Sequence, residues 1–329
     1  GHCGYLKILP LVSLNIGNAM KQKVLKQAYL PDALTWELSQ RYDLYDLALL
    51  SDTELQAVAS EIAVVITNGE AVVTREFINT LPALKLIAVF GVGYDGVDVA
   101  AARDAGVDVT HTPGVLTDDV ADLAMGLMLA VSRKIVAAQK FIEQAGWQNS
   151  GFQWTRKVSG KRLGILGMGR IGQAIARRAA AFDMEISYSD RQKNNALIWN
   201  YIPDLQALAQ NSDFLMVCAP GGEGTKALIN QSVLEALGAE GILINISRGS
   251  VVDEDALIAA LENNTIAGAA LDVFAHEPHV PVSLQKRDNV VITPHMASAT
   301  WETRREMSRL VLENVDAWFA GFPLVTPVP

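Results

Sequence analysis

Cysteine is scarce in this chain of 329 residues, which has only Cys3 and Cys218. Two cysteines make no disulfide framework. Cys218 lies in the apolar run Phe214-Leu215-Met216-Val217-Cys218-Ala219, which reads as a buried strand, so a reducing, cytoplasmic setting is expected. Positive charge is also short: 27 Lys and Arg face 36 Asp and Glu, a formal net charge of -9. Nucleic acids and anionic membranes are bound by clustered cations, so neither is an expected partner, and any anionic ligand must be held by local donors. Long hydrophobic runs are missing as well. The most apolar helical stretch, Val120 to Val136, carries Asp122, Arg133 and Lys134 and reads as a buried helix rather than a membrane span. The start, Gly1-His2-Cys3-Gly4, has no basic segment leading into an apolar one, so no signal peptide is expected. Aromatics make up 7% although half the residues are hydrophobic, so the core must be built mainly from aliphatic side chains.

What is present is alternation. The length favours two domains. Strand-like segments at Leu6–Val12, Ile62–Thr67, Leu84–Phe90 and Val107–His111 are separated by helical ones. A second series begins at Arg162. Its strands are expected at 162–166, 185–189, 214–218, 242–246, 267–273 and 290–293, with helices such as 171–182 and 254–262 between them. This order implies an α/β protein with parallel sheets and crossover helices, and the second series predicts a six-stranded, doubly wound sheet. A final helix is expected over Ala299–Ala320, ended by Gly321-Phe322-Pro323.

The sharpest local motif is Gly167-Met168-Gly169-Arg170-Ile171-Gly172, between a strand and a helix. Gly167 permits the tight turn, Gly169 lets the backbone approach a pyrophosphate, and Gly172 lets the helix pack on the strand. The free N–H groups of the helix start then face the phosphates. An acidic residue some 20 positions on should accept from the adenosine ribose, and Asp190 stands there, favouring NAD(H). Arg191 and Lys193 follow it and suit a 2′-phosphate, favouring NADP(H), although such a pair also fits a solvated turn.

Three ionisable residues stand just beyond expected strands, where ligands bind in open α/β sheets: Arg248, Glu277 and His295. Each alone is unremarkable, since loop charges usually face water. Together they suit ketone reduction. A histidine gives the oxygen a proton near neutral pH, a carboxylate orients the ring, and a guanidinium pairs with a substrate carboxylate. His111 is read as structural. His276 and His279 flank Glu277, but Pro278 breaks any helical ligand pattern, so no metal is expected.

These motifs resemble one family. Gly167–Gly172, Asn245-Ile246-Ser247-Arg248-Gly249, Leu271–Pro278 and Thr293-Pro294-His295, with Phe90–Asp95 and Thr112–Thr117, are similar in order and spacing to the D-isomer-specific 2-hydroxyacid dehydrogenases. Within that family the chain is most similar to glyoxylate/hydroxypyruvate reductases. The resemblance implies a Rossmann cofactor domain, 101–290, inserted in a flavodoxin-like substrate domain, 1–100 and 291–329. It implies Arg248, Glu277 and His295 as the catalytic set and the N–H groups of Val92 and Gly93 as the carboxylate cradle. Thr117, Ala219, Pro220, Thr225 and Ile246 would line the cofactor cleft. Ser189, Asp190 and Arg191 would meet the adenosine, and Asp272 the nicotinamide carboxamide. The subgroup often has a neutral residue where Asp190 stands, so the NAD(H) and NADP(H) signals oppose each other, with the balance toward NADP(H). A homodimer through the cofactor domain is also implied, with Phe141–Trp154 as its arm and Trp147 and Trp154 as anchors. A nucleotide-sensing, corepressor-like binding protein on the same fold is the rival reading.

Overall fold

The structure, a computed structural model, describes residues 21–329. The strand expected at Leu6–Val12 lies outside the described residues. The first sheet is built from β1 (Lys23–Lys26), β2 (Asp43–Asp46), β3 (Val64–Asn68), β4 (Leu86–Phe90) and β5 (Asp108–Thr110). All neighbours are parallel, in the order β2-β1-β3-β4-β5. Its helices are α1 (Asp32–Arg41), α2 (Asp52–Val58), α3 (Arg75–Asn79) and α4 (Val99–Asp104). Each of α2, α3 and α4 starts on a side-chain cap, from Ser51, Thr74 and Asp98 respectively. Such caps satisfy N–H groups the helix leaves free.

The chain then enters α5 (Thr117–Ser132) and α6 (Ile135–Glu143). The single helix expected over 120–136 is thus two. Lys134 is left-handed at φ 51°, and Ile135 and Val136 beyond it are exposed rather than buried. The second sheet follows with β6 (Arg162–Leu166), β7 (Glu185–Ser189), β8 (Asn200–Tyr201), β9 (Phe214–Val217), β10 (Ile242–Asn245), β11 (Gly268–Leu271) and β12 (Val290–Ile292). Its helices are α7 (Arg170–Ala180), α8 (Leu205–Gln210), α9 (Gln231–Leu237) and α10 (Glu254–Glu262), and α11 (Trp301–Ala320) ends the helical part. The order is β12-β11-β10-β9-β6-β7-β8, all parallel. The sheet has seven strands, not the six expected. The extra one, β8, is a polar two-residue edge with no periodicity to betray it.

Central strands such as β4 and β9 are buried along their whole length, as a sheet covered by helices on both faces requires. One apolar cluster joins the sheets: it runs from Val64, Leu86 and Phe90 through Ala121, Ala124 and Met128 of α5 to Ile165, Met216 and Ile244. Two further clusters cover the remaining faces. Helix α11 returns to pack on β4, so the C-terminal helix joins the first sheet. β5 pairs with β4 in the first sheet, and β12, which spans 290–292, pairs with β11 in the second. No described helix is long and apolar enough to cross a membrane.

Candidate active site

The carboxyl ends of both sheets open on one cleft of about 1130 Å³. From the seven-stranded sheet it receives Gly169 to Gly172 after β6, Ala219 and Pro220 after β9, and Ile246 and Arg248 after β10. Glu277 comes after β11 and His295 after β12. From the five-stranded sheet it receives Gly69 and Glu70 after β3 and Gly91 to Asp95 after β4, with His111 after β5. Thr117 lines it from the start of α5.

His295 adopts φ 48°. This left-handed backbone costs a residue with a Cβ about 1–2 kcal/mol. Asp272, fully buried, offsets the strain: its carboxylate accepts the Thr293 hydroxyl at 2.7 Å and the N–H groups of Met296 at 2.9 Å and Ala297 at 3.1 Å. Burial holds the Asp272 carboxyl above the usual range, against the pull of those bonds and of His295. The loop places His295 Nδ1 2.7 Å from Glu277 Oε2. A carboxylate only accepts, so Nδ1 carries the proton and Nε2 is left for the cleft. Glu277 is steadied in turn, its Oε1 accepting the Phe274 N–H at 3.1 Å. Burial pushes the imidazole pKa down. The hydrogen bond to Glu277 and the charges of Glu70 and Glu277 push it up by more, against Arg248, so the net shift is upward. Glu70 contributes by standing 3.3 Å from Nε2.

Arg248 follows β10, its carbonyl held by Asn245 Nδ2 at 3.0 Å. Its Nε donates to Asp95 Oδ1 at 3.3 Å and one terminal nitrogen to the Ser247 carbonyl at 3.1 Å. The guanidinium lies against Gly93: a Cβ there would stand 2.2 Å from Arg248 Nη2. Glycine there lets the guanidinium rest directly against the loop, where a side chain would push it aside. His111 Nδ1 pairs with the Val92 carbonyl at 2.8 Å, and Tyr94 packs edge-on against its ring. His111 therefore shapes the glycine loop, as a structural residue would.

The glycine turn is a cradle. Gly167 has φ 90°, and a Cβ there would stand 2.8 Å from the Ala219 nitrogen. A Cβ on Gly172 would reach 2.3 Å from the Gly167 carbonyl oxygen, whereas Gly169 faces open space. Helix α7 starts at Gly169 without a side-chain cap, so its first N–H groups are free for an anion. These features fit a dinucleotide pyrophosphate. Asp190, exposed beyond β7, accepts the Met168 N–H at 2.9 Å and the Arg191 N–H at 2.8 Å, one on each oxygen.

Not every expected contact lines the cleft. Arg248, Glu277, His295, Val92, Gly93, Thr117, Gly169, Arg170, Ile171, Gly172, Ala219, Pro220 and Ile246 do. Gly167, Ser189, Asp190, Arg191, Thr225 and Asp272 stand outside it. Ser189 donates its hydroxyl to the Pro203 carbonyl, and Thr225 donates to the Pro220 carbonyl, pinning that loop. Asp272, expected on the carboxamide, accepts from the His295 loop with both oxygens. Glu70 and Arg304 line the cleft without having been singled out in the sequence, and Asp95 joins them from the Phe90–Asp95 motif with no role read for it in advance. Glu70 and Arg304 are single charges outside any motif, and only the fold brings them to the site.

The comparisons with known proteins agree with this geometry. The family described as "D-isomer specific 2-hydroxyacid dehydrogenase, NAD binding domain" matches residues 125–297. The chain is 48% identical to a hydroxyphenylpyruvate reductase of Plectranthus scutellarioides over 82% of its own length and 86% of that protein's. It is 44% identical to a glyoxylate/hydroxypyruvate reductase A of Arabidopsis thaliana, covering 89% of this chain and 94% of that one. Among solved structures, an NADPH-dependent glyoxylate/hydroxypyruvate reductase of Sinorhizobium meliloti, in complex with NADP and malonate, superposes with a TM-score of 0.87 at 38% identity. That match covers 94% of this chain and 97% of that one. With a glycine cradle, a strand-end histidine and carboxylate, and an arginine over a glycine loop, the chain belongs to the D-isomer-specific 2-hydroxyacid dehydrogenase family and is an NAD(P)-dependent oxidoreductase.

Proposed function

We propose that the chain reduces a small 2-keto acid of the glyoxylate/hydroxypyruvate type to the D-2-hydroxy acid, with NADP(H) preferred over NAD(H). The observation that carries this reading is the His295–Glu277 pair. Glu277 takes Nδ1 at 2.7 Å and leaves Nε2 toward a cleft that also holds Arg248 and the Gly93 loop. The substrate carboxylate lies on the Val92 and Gly93 N–H groups and on Arg248, which fixes the keto carbon between the sheets. Protonated His295 gives its Nε2 proton to the keto oxygen, and Glu277 stabilises the imidazolium before transfer. Bound NAD(P)H supplies the hydride that C2 receives. Gly169, Arg170 and Ile171 would hold its pyrophosphate, with Thr117, Ala219, Pro220 and Ile246 along the rest of the cleft.

The preference for NADP(H) is supported by Asp190. Each of its oxygens already holds a backbone N–H, which draws its charge into the glycine turn and leaves the Arg191 side chain for a 2′-phosphate. The S. meliloti relative is NADPH-dependent by its description. For the domains, sheet membership supports a cofactor unit that begins between Thr110 and Thr117 and ends after β12. A homodimer is supported by the exposed apolar arm: Trp147 and Trp154 are 69% and 99% exposed, beside exposed Ile142.

The test is a panel of glyoxylate, hydroxypyruvate and an aryl pyruvate assayed with NADPH and NADH side by side, with chiral analysis of the product. Reduction of glyoxylate and hydroxypyruvate, the latter to the D-acid, with the higher kcat/KM on NADPH, is the expected result. Tight cofactor binding with no reduction of any keto acid overturns the reading in favour of a nucleotide-sensing protein.

A further inference from the structure

Glu70 is a charged group of the cleft that the proposed chemistry does not use. Its loop is tied on both sides. Asn68 Oδ1 accepts the N–H groups of Glu70 at 3.1 Å and Ala71 at 2.9 Å, and Asn68 Nδ2 donates to the Tyr29 carbonyl at 3.0 Å. The Gly69 N–H donates to the Phe90 carbonyl at 3.1 Å. The loop backbone is therefore fixed, and from it the carboxylate reaches to 3.3 Å from His295 Nε2. That is the nitrogen on which a keto oxygen is expected, so Glu70 borders the space that the rest of the substrate, C3 included, would occupy.

The charges around this point are uneven. Arg248 is shared between Asp95 and the expected substrate carboxylate. Arg304 lies farther along, its guanidinium 5.4 Å from the centre of the Phe90 ring and its Nε donating to the Ser298 carbonyl at 3.2 Å. Resting on the keto-acid reading of this site, we propose that Glu70 is a specificity-determining residue that makes the cleft reject keto acids bearing a second carboxylate. A like charge a few ångströms away disfavours binding. With the Glu70 side chain about half exposed, solvent moderates the effect to roughly tenfold to a hundredfold.

The test compares oxaloacetate with 2-ketobutyrate, four-carbon acids in which a carboxylate replaces a methyl. The kcat/KM ratio of oxaloacetate to 2-ketobutyrate is measured for the wild type, Glu70→Gln and Glu70→Ala. It is expected to rise about tenfold or more in both variants, Glu70→Gln showing that charge and not size is responsible. In the wild type the same ratio should rise with added salt, because screening at about 1 M cuts the reach of a charge to about 3 Å. This arm needs no variant, and a ratio flat in salt overturns the proposal. So does an unchanged ratio in Glu70→Gln while 2-ketobutyrate is still turned over, the result expected if a second carboxylate settles on Arg304. Failure of the wild type to reduce 2-ketobutyrate or glyoxylate at all overturns the keto-acid reading and this proposal with it.

Discussion

The two sheets meet across one cleft with the same ends of their strands, yet they bring opposite kinds of group. The seven-stranded edge presents ionisable side chains: Arg248, Glu277 and His295. They are held from behind by Asn245, the Phe274 N–H and buried Asp272. The five-stranded edge presents main chain, the Gly91–Gly93 loop, shaped by His111, with Glu70 as its charged side chain nearest the histidine. Chemistry that moves a proton needs a tunable side chain, whereas a carboxylate is held well by fixed N–H groups. If this division of labour holds, variants on the first edge should lower turnover and variants on the second should mainly weaken substrate binding.

The largest expected effect is on the first edge. His295→Ala removes the proton donor, and steady-state assays with a saturating keto acid should show kcat lower by about 10²–10⁴-fold with cofactor affinity unchanged. A kcat within a few-fold of the wild type would show that proton transfer does not run through this side chain.

Asp272→Ala comes next and tests the support rather than the donor. It leaves the Thr293 hydroxyl and the N–H groups of Met296 and Ala297 without their acceptor. The cost should be about 1–3 kcal/mol or more of folding stability, read as a lower denaturant midpoint, with kcat falling as His295 relaxes from its left-handed backbone. Retained stability and turnover would mean that His295 is held by something else.

The second edge should respond more gently. In Gly93→Ala the new Cβ meets the mobile end of Arg248 at 2.2 Å, so the guanidinium gives way while the fold survives. KM for the keto acid should rise by about tenfold, the loss of one charge-assisted hydrogen bond, with a smaller change in kcat. Equal loss in both would erase the contrast between the edges.

This contrast also governs what could be read in advance. The seven-stranded sheet was legible because its inner strands are unbroken aliphatic runs and its chemistry follows them at fixed offsets, as Asn245-Ile246-Ser247-Arg248 shows. In the other sheet β3, β4 and the edge strand β5 were legible, and β1 and β2 were not. β1 (Lys-Val-Leu-Lys) and β2 (Asp-Leu-Tyr-Asp) carry charges at their ends, and β8, at the edge of the seven-stranded sheet, has two residues, so none shows a hydrophobic period. The pairings of Glu70 and Asp95 gave no signal because their partners lie more than 150 residues away, at His295 and Arg248. The buried role of Asp272 was hidden for a similar reason: a strand-end aspartate looks the same whether it faces a ligand or a loop.

The finest expected effect lies in the pH profile and separates the two glutamates on either side of His295. The raised pKa means that the imidazolium persists to higher pH than an unperturbed histidine. The sign follows: the ion pairs contribute fully below the ordinary histidine pKa and are lost as pH rises through the folded value, so reduction should fall along an alkaline limb set by that value. Glu277, Glu70 and Arg248 are the charges that act on it, the first two raising and the third lowering it. Glu277→Gln removes the negative charge that holds Nδ1, so the limb of kcat/KM should move to lower pH, whatever happens to its height. Glu70→Gln should move it in the same direction by less, because its contact is 3.3 Å against 2.7 Å and its side chain is the more exposed. A limb that stays in place in Glu277→Gln would show that a group other than His295 limits the reaction at high pH.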